Sequence, residues 1–99
     1  MVVKEKRGRR RYIAFTVSTG LTKESLISAL RKVCGDPPYV IQCAEGWGVV
    51  RCPHDAVTVT VDIVRLADPS SVSLRTSGTL RTLRGLYPEL ERLRPKKRM

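Results

Sequence analysis

Between Pro53 and Pro69 lies the stretch whose reading decides the fold, Ala56–Leu66. Val57, Val59, Val61 and Ile63 alternate with mostly polar residues, the two-residue period of a half-buried strand. Yet the stretch opens on Pro53-His54-Asp55, and Pro and Asp suit the first positions of a helix. Helical spacing fits as well. Val57, Val61 and Val64 share one face of a helix, and Val59, Ile63 and Leu66 fall on nearly the opposite face. A helix here packs one face on a sheet and turns the other to a partner.

The remaining elements are less ambiguous. Tyr12–Val17 is a strand by composition. Thr22, followed by Glu24 and the run Leu26, Ile27, Leu30 and Val33, marks a capped helix that ends at Gly35 and is broken by Asp36-Pro37-Pro38. Tyr39–Cys43 and Gly48–Cys52 form a hairpin around Glu45-Gly46. Val72–Thr76 is a short strand. Leu80, Leu83, Tyr87, Leu90 and Leu93 make an apolar stripe, interrupted by Gly85 and Pro88, which predicts a kink or two short helices. The expected layout is a basic flexible arm over 1–10, one α/β sandwich domain over 11–93, and a basic tail over 94–99.

Charge divides the chain. Residues 1–11 hold six Lys/Arg and one Glu, a net of +5; residues 12–74 hold five Lys/Arg and six Asp/Glu, a net of −1; residues 75–99 hold eight Lys/Arg and two Glu, a net of +6. A neutral middle between strongly basic ends points to a polyanion, most often nucleic acid. No apolar run approaches the roughly 20 residues of a membrane span, and the basic start lacks the apolar segment of a signal peptide. Three cysteines, Cys34, Cys43 and Cys52, are odd in number and widely spaced, which argues for a reducing, cytoplasmic setting over a disulfide framework.

If Ala56–Leu66 is a helix, the order becomes strand, helix, strand, strand, helix, strand, the split βαβ pattern with an antiparallel sheet. The start of the first strand and the ends of the third and fourth then share one end of the sheet. Arg9, Arg10, Arg11, Arg51, Arg75, Ser77, Gly78 and Thr79 are expected to meet there as an RNA-binding patch. The Ser77-Gly78-Thr79 turn leaves backbone N–H groups at a helix start, where they suit a phosphate. Arg81 and Arg84, three residues apart, extend the patch along one helix face.

Chemistry of other kinds finds little support. His54 is the sole histidine, and no Cys-x-x-Cys accompanies the Cys52/His54 pair, so no metal site is expected. The same pair is the one candidate for a nucleophile and its base, in a small enzyme. The acids are scattered, with no pair suited to acid–base work. An acylphosphatase needs an Asn beside its Arg, and the chain contains no Asn. Residues 47–52 lack the aromatic motif by which RNA-recognition modules stack bases on the third strand. Contact with RNA is therefore expected through backbone phosphates, with Tyr12 and Phe15 packing the core or an edge.

Three segments occur in a characteristic order and spacing: Arg11-Tyr12-Ile13-Ala14-Phe15, Gly48-Val49-Val50-Arg51-Cys52, and Ser77-Gly78-Thr79-Leu80-Arg81-Thr82-Leu83. Over residues 10–85 the chain resembles the ribonuclease P protein component 2 family, the small basic subunit of archaea and eukaryotes. It differs from the usual pattern by an abrupt loop at 35–38 and a brief C-terminus. The resemblance implies an α+β, ferredoxin-like or RNA-recognition-like βαββαβ sandwich with an added C-terminal helix, and so reads 56–66 as a helix. It implies a non-catalytic subunit of a ribozyme that removes 5′ leaders from precursor tRNA. The chemistry there belongs to the partner RNA and its magnesium, and the protein itself holds no cofactor. Expected partners are ribonuclease P RNA, precursor tRNA and ribonuclease P protein component 3, in a heterotetramer with self-association. The helix over 56–66 and the leucine stripe are expected to serve the protein contacts. The alternative is a general structured-RNA-binding protein of ribosomal or chaperone type.

Overall fold

A computed structural model describes residues 10–93. Arg9 with residues 1–8 of the expected arm, and the tail over 94–99, fall outside the described residues, whereas Arg10, read from the sequence as part of the arm, begins the first strand. The elements are β1 (Arg10–Thr16), α1 (Lys23–Val33), β2 (Tyr39–Ala44), β3 (Trp47–Pro53), a single 3₁₀ turn (His54–Ala56), α2 (Val57–Ala67), β4 (Val72–Ser77), α3 (Leu80–Leu86) and α4 (Pro88–Arg92). The protein is an α+β structure built on one four-stranded sheet in the order β2-β3-β1-β4, with every neighbouring pair antiparallel.

Residues 57–67 are helical, so packing overrides the strand-like alternation. Thr60 and Val64 are buried, and Val57, Val61, Ile63 and Ala67 rest on the core. Val59 and Leu66 are exposed, at 58% and 69%. Of the outer face read from the sequence, Ile63 is therefore half inside. With Leu26 and Leu30 of α1, α2 covers one side of the sheet, over Ile13, Phe15, Val40, Val50 and Cys52. The cap of α1 is the one expected, with Thr22 Oγ1 accepting the Ser25 N–H at 3.1 Å.

The other side of the sheet is covered too. Leu83 of α3 and Leu90 of α4 are fully buried against Ala14 and Val49, with Tyr12, Ile41, Trp47, Leu74, Leu80 and Tyr87 around them. Two short helices, not one, occupy the C-terminal region. They break at Tyr87, and Pro88 takes a first-turn position of α4, where its missing N–H costs nothing. Tyr87 sits against Trp47, ring centroids 5.8 Å apart. Four of the five stripe residues, Leu80, Leu83, Tyr87 and Leu90, thus pack on the protein's own sheet.

Two polar clamps tie the layers. Gln42 is 2% exposed; its Nε2 donates to the Leu90 carbonyl at 3.0 Å, and its Oε1 accepts Arg84 Nε and Nη2 at 3.2 and 2.8 Å. The second clamp is Asp68, at the end of α2. Its Oδ2 accepts the Ser18 N–H, and its Oδ1 accepts the Ser18 hydroxyl and the Ser70 hydroxyl and N–H. Burial alone raises the Asp68 pKa, but these bonds from Ser18 and Ser70 outweigh it and hold the carboxylate below its ordinary value.

A depressed folded-state pKa contributes stability that is fully present above the unfolded value, about 4 for Asp, and is lost as pH falls through the folded value. Asp68→Asn must set an amide N–H₂ against one of the donors that now face a carboxylate. We expect it to lower unfolding stability by about 1–3 kcal/mol at neutral pH. The difference from the parent protein shrinks as pH drops below about 4. Urea titrations at several pH values check this, and a pH-independent difference would contradict the clamp.

Candidate nucleic-acid interface

The antiparallel register gathers distant residues at one end of the sheet. Tyr12 of β1 lies opposite Arg51 of β3 and opposite Ser77 of β4, so the ends of β3 and β4 flank the start of β1. Arg11 Nη1 donates to the Arg10 carbonyl at 3.1 Å, and a methyl group added at Gly78 would stand 3.6 Å from that same nitrogen. The Arg11 guanidinium therefore lies beside the Ser77-Gly78-Thr79 turn. Arg75, paired with Ala14 on the edge strand, is exposed two residues back from Ser77. Arg11 and the Ser77-Gly78-Thr79 turn meet, Arg10 begins β1, and Arg51 and Arg75 lie on the two strands that flank it.

The turn itself is more self-contained than expected. Thr79 caps α3, its Oγ1 accepting the Thr82 N–H at 3.3 Å, and the Thr79 N–H donates to Ser77 Oγ at 3.2 Å. The Thr79 N–H, expected to face a phosphate, is thus taken by a neighbouring hydroxyl, as Ser residues do in short turns. The arginines beside the turn carry the capacity for an anion.

α3 leads from the turn onto the sheet, where Leu83 packs on Ala14 and Val49, and so carries Arg84 away from the cluster. Arg81, two residues past the Thr79 cap, is exposed in the first turn of α3, on a groove shared with Arg84, Gly85 and Glu91. Arg84 is half-buried with its guanidinium fork on Gln42. Its role is that of a strut between α3 and β2. Sequence reasoning missed this pairing because Gln42 and Arg84 lie on separate elements, and nothing local marks either as the other's partner. The signal present was a lone glutamine inside an apolar strand, since a buried amide needs a partner.

Sequence reading also missed what Arg51 does at rest. Its guanidinium carbon stands 4.6 Å from the centroid of the exposed Tyr39 ring, a cation–π pair. No protein-family model and no curated protein matches this chain.

The enzyme alternative loses its nucleophile. Cys52 is 4% exposed within the core under α1 and α2, whereas His54 is exposed in the 3₁₀ turn. The Cys43 thiol is pushed up to about 11, by burial first and by the Asp68 charge second, so it remains protonated. Among the described residues, no three His, Cys, Asp or Glu side chains gather where they could hold a metal, and no helix is long and apolar enough to cross a membrane.

Proposed function

We propose that this chain is a non-catalytic, RNA-binding protein subunit of ribonuclease P, acting in removal of 5′ leaders from precursor tRNA. One observation carries the reading: Arg11, Arg51 and Arg75, the last two 40 and 64 positions beyond the first, lie on three adjacent strands toward the end of the sheet where the Ser77-Gly78-Thr79 turn sits beside Arg11. All three segments that resemble the component 2 family contribute to that end. The strand order β2-β3-β1-β4 with two helices on one face fits a ferredoxin-like arrangement. Two covered sheet faces favour phosphate contacts at the end of the sheet over base stacking on its strands.

In this reading Arg10, Arg11, Arg51, Arg75 and Arg81 pair with phosphates of the catalytic RNA, joined by Arg9. The Ser77 and Thr79 hydroxyls and the Gly78 backbone complete the surface. Neutralising the RNA backbone lowers repulsion within it, so the catalytic fold forms at lower magnesium. The reaction stays with the RNA and its metal ions. Leu66 on α2 and Val33 on α1 leave apolar area that suits a protein partner such as component 3 or a second copy. Action in the cytoplasm follows from the same reading.

Reconstitution tests it. Added to ribonuclease P RNA and component 3, the protein is expected to raise precursor tRNA cleavage at low magnesium; no stimulation would sink the assignment. A phosphate-reading patch also suits a general structured-RNA binder. Competition by unrelated structured RNAs separates the two, because only the general binder loses its grip on ribonuclease P RNA to equal amounts of any competitor.

A further inference from the structure

All five aromatic residues of the chain are accounted for. Phe15 is in the core, and Tyr12, Trp47 and Tyr87 pack on the second side of the sheet. Tyr39 is the one left exposed, at 56%, on the outer strand β2. It borders an open groove of about 630 Å³ between the loop after α1, the end of β3 and the outer side of α2. That volume falls in the range of small-ligand clefts. Pro37, Pro38, Val59 and Ile63 give it apolar walls, while Arg10 and Arg51 bring two cations from the basic end of the sheet. Asp36 adds an acceptor that can take a base amino group or a ribose hydroxyl, and that repels a bare phosphate.

Apolar wall, exposed ring, paired cations and one acceptor together match the parts of a nucleotide. We propose that this groove holds one unpaired nucleotide of the bound RNA, its base against Tyr39 and the proline wall and its phosphate between Arg10 and Arg51. The inference rests on the RNA-binding reading above and adds to it. Phosphate contacts alone grip any strand, whereas a base can enter this groove only from an unstacked position, as in loops and bulges.

The test compares a short single-stranded RNA with a blunt duplex of equal length, by fluorescence anisotropy on the full chain. Tyr39→Ala is expected to weaken single-strand binding about 5- to 100-fold, the loss typical of one stacked base, and to leave duplex binding within twofold. Tyr39→Phe keeps the ring and keeps the affinity. Arg11→Ala weakens both RNAs. A single strand carrying 4-thiouridine should photo-crosslink to the peptide spanning Pro37–Pro53 in the unmodified protein, a readout free of any folding defect in the variant. Equal weakening of both RNAs by Tyr39→Ala, or of neither, overturns the groove, as does its effect falling on protein-partner association alone. If the unmodified protein binds no RNA at all, the functional reading falls first and the groove with it.

Discussion

Replacing Arg11, Arg51 and Arg75 together by Ala should flatten the salt dependence of RNA binding by about two to three in log–log slope. Each arginine that neutralises a phosphate displaces counterions, and each one lost removes close to one unit of that slope. The three lie on three adjacent strands at one end of the sheet, so a single RNA segment can meet them all. None forms part of the buried core, so urea stability is expected to stay close to that of the parent. The matching Arg→Lys triple variant retains the charges and most of the slope, losing only forked contacts. A slope left unchanged by the triple Ala variant would place the RNA elsewhere on the protein.

The second large effect concerns the layer made by α3 and α4. Leu83→Ala and Leu90→Ala should each cost about 2–5 kcal/mol. Both side chains are fully buried, and they are the anchors that hold two short helices on the sheet. A typical domain has only about 5–15 kcal/mol in hand, so the double variant is expected to lose this layer outright. Trp47 reports it, because its packing against Tyr87 depends on the break between the helices staying in place. Tryptophan fluorescence should shift to the red and urea midpoints fall for each single variant. A loss under about 0.5 kcal/mol at either site would contradict the packing described.

Several elements were legible from local chemistry. Thr22 and its apolar run marked α1, Glu45-Gly46 marked the hairpin turn, and Gly85 with Pro88 marked the division of the C-terminal helices. The turn works because Glu45 and Gly46 both adopt positive φ, 50° and 87°, as a two-residue hairpin loop of this twist requires. The meeting of Arg11 with the Ser77 turn was also legible, since strand order and antiparallel direction suffice to bring the start of β1 beside the end of β4.

What escaped depends on register. Counting back from the turn puts Val40 opposite Arg51. In the protein Val40 pairs with Val50 and Tyr39 with Arg51, because Ile41 is an extra residue in β2. Such bulges have no reliable sequence mark, yet this one creates the ring–guanidinium pair. A second irregularity, at Leu74 of β4, sits between the Ala14–Arg75 and Phe15–Ser73 pairs. Arg84 escaped for a different reason: its partner is chosen by the path of α3 over the sheet, which no local pattern encodes.

The sealing of both sheet faces has a consequence for how tightly the protein can hold RNA by itself. Neighbouring strands lie about 4.8 Å apart, so the end formed by β3, β1 and β4 is only about 10 Å across. A footprint of that width meets a few phosphates and does not wrap a helix. In the proposed role the protein then acts as a pin at one spot of a large RNA. Its hold at physiological salt would be set largely by partners that keep it within reach, through the raised effective concentration that tethering provides.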